Sequence, residues 1–401
     1  MRRYTIILWM AGLVLTSGGC TETDFEVINQ PAYLRVFNDL NYIITLENKD
    51  EPQPFLTMLI DPVLDADNIP VSAAITGDFL DQRSYYAPPY PTYTGNIESR
   101  NYEYPGKEDV LVGPILNGFD LSSWAQVPSG KHRILFLSRP ISEVPFFDLE
   151  AGLRTRLIAD TIITLETGEV YTLEVLQKDF ETKKNGIYLR HENFHKLPLS
   201  DSLVYVNFYN LSAKGFWNAD NSLKTEDRDG EGYGRSLLYG IKDEMDVYYS
   251  LYHGDTRAAD FELPGYGMQY MTPVQRNTDD PSVSPYFSFP LFADTASDGI
   301  ITDAWQRFTL IFPIYDPHKI VFNETDPEAN AGNYAVLTCY KDGKSERPWN
   351  ESGGALLPDL IVNAHSGTYE SRSFATVNTI EIVNGRAYLT TIQRKYDPPA
   401  Y

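Results

Sequence analysis

Cysteine is almost missing from this chain of 401 residues, which has only Cys20 and Cys339. A disulfide framework is therefore excluded, and the fold must rest on ordinary apolar cores. Basic charge is also short. Lys and Arg number 33 against 55 Asp and Glu, giving a net charge of −22, and basic residues nowhere gather into a stripe. Nucleic-acid affinity rests on clustered Lys and Arg, so a nucleic-acid partner is excluded. No apolar run reaches the length of about 20 residues that a membrane-crossing helix needs. A phosphate loop, a nucleophile elbow and a legible Ser/His/Asp set are missing too. With so many carboxylates, closeness in sequence nominates no glycosidase pair. No cofactor is implied.

What is present begins with an export signal over residues 1–19. Arg2 and Arg3 supply a positive start, Tyr4–Leu15 an uncharged and mostly apolar stretch, and Thr16–Gly19 small residues before Cys20. This order resembles a lipobox, in which the cysteine receives diacylglycerol and becomes the new N-terminus. The pattern departs at one place, with Ser17 where leucine is usual and Leu15 two residues further back. The resemblance implies lipid attachment at Cys20 and a membrane partner reached through that lipid. The acidic tether that follows, residues 20–26, carries Glu22, Asp24 and Glu26. It resembles the export signal of surface-exposed lipoproteins in the Bacteroidetes group, which implies an outer-membrane protein facing the cell exterior.

The remainder reads as all-β. Tyr, Phe, Val, Ile and Thr recur in short runs, and 27 Gly and 26 Pro break helical periodicity before it lasts two turns. Strands are expected at Tyr33–Phe37, Arg133–Leu137, Tyr171–Leu176, Leu203–Tyr209, Phe308–Phe312, Tyr334–Cys339 and Ala387–Ile392, with a short helix around Gly299–Trp305. Internal similarity supports two units. Tyr33–Asn38 reads against Tyr205–Asn210, each an apolar strand closing on Asn. Ser129-Gly130 reads against Ser366-Gly367, and the Gly-x-x-Tyr of Gly168–Tyr171 against that of Gly385–Tyr388. On this matching the first unit carries an insertion near Glu143–Arg156.

The strand closing on Asn, the Val127–Gly130 turn and the Leu-x-x-Gly-x-x-Tyr-Thr-Leu of Leu165–Leu173 resemble a domain family of unknown function. That family occurs as tandem Ig-like β-sandwiches in exported bacterial proteins. The resemblance covers about a third of the chain and has no catalytic residues to transfer. It implies two tandem Ig-like sandwiches with long loop insertions: residues 27–180, a linker at 181–198, and residues 199–396.

Several motifs could carry chemistry. His191-Glu192-Asn193-Phe194-His195 spells HExxH, whose zinc-hydrolase chemistry needs both imidazoles on one helix face. Asn185-Gly186 before it and Pro198 after it leave little room for a helix, so a linker histidine pair is the favoured reading. Zinc hydrolysis through His191, Glu192 and His195, or an unrecognised glycosidase, is the alternative. Asp227 and Asp229 begin a glycine-rich acidic stretch like a calcium loop, but Leu238 stands where the twelfth-position glutamate belongs. Cys339, in an apolar strand, reads as a small buried hydrophobe. Asp160-Thr161-Ile162, Asp201-Ser202-Leu203 and Asp294-Thr295-Ala296 resemble a Bacteroidetes O-glycosylation acceptor. The stretch from Tyr85 to Tyr93, continued by Tyr102 and Tyr104, sets tyrosines among prolines. Tyr86, Tyr90 and Tyr93 are the expected ligand-binding platform, since a broad ring with a polar tip suits stacking on sugar or protein. Tyr248, Tyr249, Tyr252, Tyr266 and Tyr270 form a counterpart in the second unit. The expected function is non-catalytic: glycan or protein recognition, or a structural role, at the cell surface.

Overall fold

A computed structural model describes residues 27–40, 55–83, 89–91, 110–140, 142, 144–220, 223, 241–253, 263–290, 304–317, 334–340, 354–358, 360, 362–365 and 371–394. All the regular elements among them are β-strands and short 3-10 turns, so the chain is all-β as expected. The expected strands all form, in slightly different bounds. Trp305, expected at the end of a short helix, lies instead in a strand, and Gly299–Asp303 fall outside the described residues.

The first half contains β1 (Pro31–Asn38), β2 (Phe55–Leu64), β3 (Pro70–Leu80), β4 (Ile115–Leu116), β5 (Phe119–Asp120), β6 (Ala125–Pro128), β7 (Gly130–Arg139), β8 (Leu157–Leu165), β9 (Val170–Asp179) and β10 (Lys184–Glu192). An outer sheet runs β3-β2-β7-β8 and an inner sheet β10-β9-β1-β6. Alternation drives their packing. Leu34, Val36, Leu173 and Val175 point from the inner sheet onto Met58, Ile60, Ile134 and Phe136 of the outer one. Each such side chain contributes roughly 1.5–3 kcal/mol when fully buried. The segment near Glu143–Arg156, where an insertion was expected, forms 3-10 turns at Phe146–Asp148 and Ala151–Arg154. Phe146 and Leu149 seat it on the far side of the outer sheet against Leu59, Leu135 and Leu137.

The second half contains β11 (Leu203–Asn210), β12 (Glu244–His253), β13 (Gln269–Gln275), β14 (Phe287–Pro290), β15 (Ala304–Ile311), β16 (Tyr334–Tyr340), β17 (Gly354–Pro358), β18 (Val362–His365), β19 (Ser371–Phe374), β20 (Thr376–Val383) and β21 (Arg386–Gln393). Its inner sheet is β14-β11-β20-β21 and its outer sheet β13-β12-β15-β16-β17. Pro70, Pro128, Pro273, Pro290 and Pro358 all sit in edge strands, where a missing N–H costs no ladder bond.

The internal repeat is visible in topology. The order β10-β9-β1-β6 matches β21-β20-β11-β14, and β3-β2-β7-β8 matches β13-β12-β15-β16. Register matches as well: Tyr33 pairs Val170 and Asn38 pairs Val175, while Tyr205 pairs Val377 and Asn210 pairs Ile382. The Asn that closes each strand continues this pattern. Its carbonyl accepts from Arg83 N–H at 2.7 Å in the first copy and from Asn277 N–H at 2.9 Å in the second. The glycine matching needs correction, and so does the insertion it placed in the first unit, since the β15–β16 connection is longer than the β7–β8 connection it matches. Gly385 lies in the β20–β21 turn, whose counterpart is the β9–β10 turn, whereas Gly168 lies in the β8–β9 turn. Tyr171 and Tyr388 are therefore not equivalent; by register the counterpart of Tyr171 is Asn378. The expected partner of Ser129-Gly130, at Ser366-Gly367, lies outside the described residues.

The expected linker also shrinks. Residues 184–192 pair with β9 along the whole of β10 and belong to the first inner sheet. What remains is a 3-10 turn at Phe194–Lys196 and a short extended segment before β11.

The two inner sheets face each other across a seam that mixes apolar and ionic contacts. At one end Tyr33, Trp124, Val170 and Phe194 pack with Val377 and Ile392. At the other, Leu176 and Tyr188 pack with Tyr209, Leu211 and Val383. Between them lies a buried ionic cluster. Arg190 on β10 donates to Glu192 at 2.9 Å, to Glu381 on β20 at 2.7 Å and to Glu174 on β9 at 3.4 Å. Arg83, just after β3, reaches Glu381 at 2.6 Å and Asp39 at 3.3 Å. Its guanidinium lies 3.9 Å from the Phe37 ring centre and 4.4 Å from that of Tyr388, and so is held between rings of the two halves.

Candidate functional site

The outer sheet of the second half carries the most distinctive exposed chemistry. On β12, Met245, Val247, Tyr249 and Leu251 alternate into the sandwich core, leaving Asp246 and Tyr248 on the other face. The β12–β13 pairing shifts register between Val247 and Tyr248, and the bulge sets Tyr248 opposite Tyr270. Their rings meet edge to face at 5.6 Å and 68°. Tyr270 is 56% exposed, while Tyr248 packs on a floor of Ile311, Tyr334 and Val336 with Met268 beside it. Met268 has a φ of 43°, rare for a side-chain-bearing residue, and its N–H donates to Ser250 Oγ at 2.8 Å.

Carboxylates ring this pair. Burial, then Asp246, Tyr270 and Asp316, raise the Tyr248 phenol above its ordinary range. The Asp246 carboxyl is itself raised, by desolvation and then by Glu244. Beyond β15, Ile314 is 76% and Tyr315 is 40% exposed. Such a surface offers a ring face to an apolar ligand face and carboxylate oxygens to hydroxyl donors. Edge residues in sequence concealed it. Tyr248 and Tyr270 were legible as aromatics, but their pairing depends on a bulge, and Met268 and Asp316 carry no sequence signal.

The first-half platform is corrected at Tyr90. Its ring is only 4% exposed and packs in the first core with Val36, Met58 and Leu80. A methyl group built on Gly77 would meet that ring at 2.9 Å. Backbone bonds to Val36 bind Tyr90 as an added strand: its N–H donates at 2.8 Å and its carbonyl accepts at 3.0 Å. The flanking prolines were read as presenting the ring; here the segment lies over the sheet edge and turns the ring inward. Tyr86 and Tyr93, with Tyr85, Tyr102 and Tyr104, lie outside the described residues. In the second half, Tyr249 and Tyr252 are buried and Tyr266 packs against the core, which leaves Tyr248 and Tyr270 of that set on the outer face.

The HExxH residues do not share a helix. His191 and Glu192 end a strand, and His195 lies in the 3-10 turn. Glu192 accepts from Arg190 inside the seam, so it faces away from the imidazoles' partner. That partner is Glu169, whose Oε2 lies 2.6 Å from His191 Nε2 and 3.8 Å from His195 Nε2 and also accepts from Lys196. His191 stacks on Tyr171 at 4.7 Å. Burial lowers the His195 pKa, with Glu169 opposing. The histidines therefore brace the turn between the two halves, and the water-activating geometry of a zinc hydrolase is not formed. Cys339 is buried in the second core, as its apolar strand implied. Asp160 is engaged by Arg133 at 2.7 Å, and Ser202 occupies an exposed turn. Cys20, Asp227, Asp229, Asp294 and Thr295 lie outside the described residues.

No protein-family model matches the chain, and no curated protein matches it either. Among solved structures, a candidate cell adhesion protein from Bacteroides ovatus is similar at 7% identity, with 93% of this chain and 100% of that chain covered and a TM-score of 0.17. The C-terminal fragment of the pilus adhesin SpaC from Lactobacillus rhamnosus GG is similar at 8% identity, with 92% and 100% covered and a TM-score of 0.11. At these scores neither likeness carries an argument. No helix among the described residues is long and apolar enough to cross a membrane.

Proposed function

We propose that this chain is a cell-envelope lipoprotein, held at the outer membrane through Cys20 and facing the exterior, that binds glycans without turning them over. The observation that carries the binding role is the Tyr248–Tyr270 pair, with Tyr270 more than half exposed, Asp246 acting on both rings and Asp316 on Tyr248. A pyranose presents an apolar face to an aromatic ring and hydroxyl donors to neighbouring carboxylates, so one ligand class uses both features. The net charge of −22 and the carboxylates at the patch disfavour an anionic glycan and direct the reading to neutral ones. The anchor rests on the order of Arg2, Arg3, the apolar stretch and Cys20.

The test is calorimetric titration of the purified chain with neutral oligosaccharides of glucose, mannose, galactose and xylose. Binding of at least one of them, weakened tenfold or more by Tyr270→Ala, supports the reading. No binding to any, or binding indifferent to Tyr270→Ala, overturns this patch as a glycan site. Pull-down of a surface protein through Tyr270 without sugar binding would reassign the patch to protein recognition.

A further inference from the structure

We propose that the seam between the two sandwiches is a proton-held latch, in which one proton held on Glu174, beside Glu381, completes a fully buried ionic cluster and its loss loosens the docking of the halves.

The argument begins with hydrogen-bond bookkeeping at the two carboxyls. Both Glu381 oxygens accept from arginine, Oε1 from Arg190 at 2.7 Å and Oε2 from Arg83 at 2.6 Å. Glu174 is poorly served by comparison. Its Oε1 accepts only a long bond from Arg190, 3.4 Å, and its Oε2 accepts from no donor among the described residues. Yet Arg190 holds the Glu174 carboxyl beside that of Glu381. Two buried carboxyl groups side by side do not both ionise readily, because like charges out of water repel. The atom free to carry a proton is Glu174 Oε2.

Charge agrees with this placement. The fully buried set contains Arg35, Arg83 and Arg190 against Asp39, Glu174, Glu192 and Glu381. Fully ionised, it would hold one surplus negative charge away from water, a costly state that a single proton removes. Arg386 reaches Asp39 and Tyr388 from the half-exposed rim. Lys178, at the end of β9, also faces Glu174, and Tyr188 and Tyr209 face Arg190 from β10 and β11. Tyr286 closes the set near Glu192 and Tyr209.

The titration shifts support the same assignment. Burial, then Glu381 and Asp39, push the Glu174 carboxyl well above its ordinary value. Burial alone would raise Glu381 too, but Arg83 and Arg190 hold it well below the carboxylate range. Burial, against Arg83, pushes Asp39 up to about 6. A raised carboxyl contributes docking stability that is complete below its unfolded pKa and is lost as pH rises through the folded one. Asp39 loses its share as pH rises through about 6, so the Glu174 share is the part of the fall that Glu174→Gln removes.

The test uses the full chain and does not involve a glycan, so it stands apart from the binding assay. Infrared spectra at pH 8 should contain a protonated-carboxyl C=O band, and Glu174→Gln should remove it. The melting temperature should fall from pH 7 to 9, about a tenfold loss in the docking equilibrium per pH unit for one proton, and Glu174→Gln should flatten that fall. Glu381→Gln should instead lower the melting temperature at every pH. An absent band in the unaltered protein overturns the latch outright. So does a band that persists in Glu174→Gln, or a pH slope that this variant leaves intact.

Discussion

Glu174 on β9 and Glu381 on β20 occupy the same position in the two repeats, each following a core residue, Leu173 or Ile380, and each pairing with the inner strand that closes on Asn. By register Glu174 stands beside Phe37 and Glu381 beside Tyr209. The repeat thus brings two equivalent carboxyls together at the seam, and the surrounding arginines treat them differently. Arg83 and Arg190 both favour Glu381, and this asymmetry distinguishes copies that began from the same pattern.

Arg190 is the member of the cluster whose loss costs most. It touches Glu174, Glu192 and Glu381 and lies 4.3 Å from the Tyr209 ring centre. Arg190→Ala leaves buried carboxylates without their partner and should destabilise the chain by about 3–5 kcal/mol, whereas replacing a whole ionic set with apolar groups can be neutral. Chemical denaturation of the two kinds of variant distinguishes these cases. A loss under 1 kcal/mol for Arg190→Ala would show that water reaches the seam.

Tyr90 and Tyr270 should behave in opposite ways. Tyr90→Ala removes a core ring and should cost about 3–5 kcal/mol, the range for large aromatic truncations, while leaving any ligand affinity of the folded protein unchanged. Gly77→Ala, which drives a methyl group toward the same ring, should destabilise as well. Tyr270→Ala should shift stability by no more than about 0.5 kcal/mol. Thermal melts of the three variants decide whether the burial assigned to Tyr90 is right.

How much of this was legible depended on how locally each feature was encoded. Tyr33–Asn38 and Tyr205–Asn210 could be matched because alternation and the closing Asn lie within one strand. The strand character of Tyr171–Leu176 was legible, but its two faces were not, because every residue in that run is buried and no polar alternation marks the sides. Arg190–Glu381 spans 191 positions, and no local pattern announces such a pair. Tyr90 failed for a different reason. Pro-rich sequence signals an extended segment, but extended backbone can pair with a sheet edge as readily as it can project into solvent. Gly385 misled because two non-equivalent turns, β8–β9 in the first unit and β20–β21 in the second, share a Gly-x-x-Tyr spelling, and turn chemistry does not number the strands it joins.

The histidine pair offers a prediction about metal. Glu169 already engages His191, His195 and Lys196, and Glu192 is held in the seam by Arg190. A bound zinc would have to displace Lys196 and recruit donors from a strand and a turn that do not converge as a helix does. The purified chain should contain no stoichiometric zinc, and chelator should leave its melting temperature unchanged. Zinc near one per chain, lost on His191→Ala, would restore the hydrolase alternative.

The anchor prediction turns on chemistry at one atom. Lipid attachment requires the Cys20 thiol, and the apolar stretch before it is too short to hold the chain in a bilayer by itself. A diacyl anchor brings two chains, enough for stable retention where one chain is marginal. Cys20→Ala should therefore either release the protein from membranes or leave it unprocessed with residues 1–19 attached. Fractionation of cells, followed by mass measurement of the detergent-extracted chain, reads both outcomes. A mass carrying diacylglycerol on the unaltered chain and lost in the variant supports the anchor. Membrane retention of Cys20→Ala with a mature N-terminus elsewhere would sink it, and protease treatment of intact cells then tests separately whether Glu22, Asp24 and Glu26 direct the protein to the exterior face.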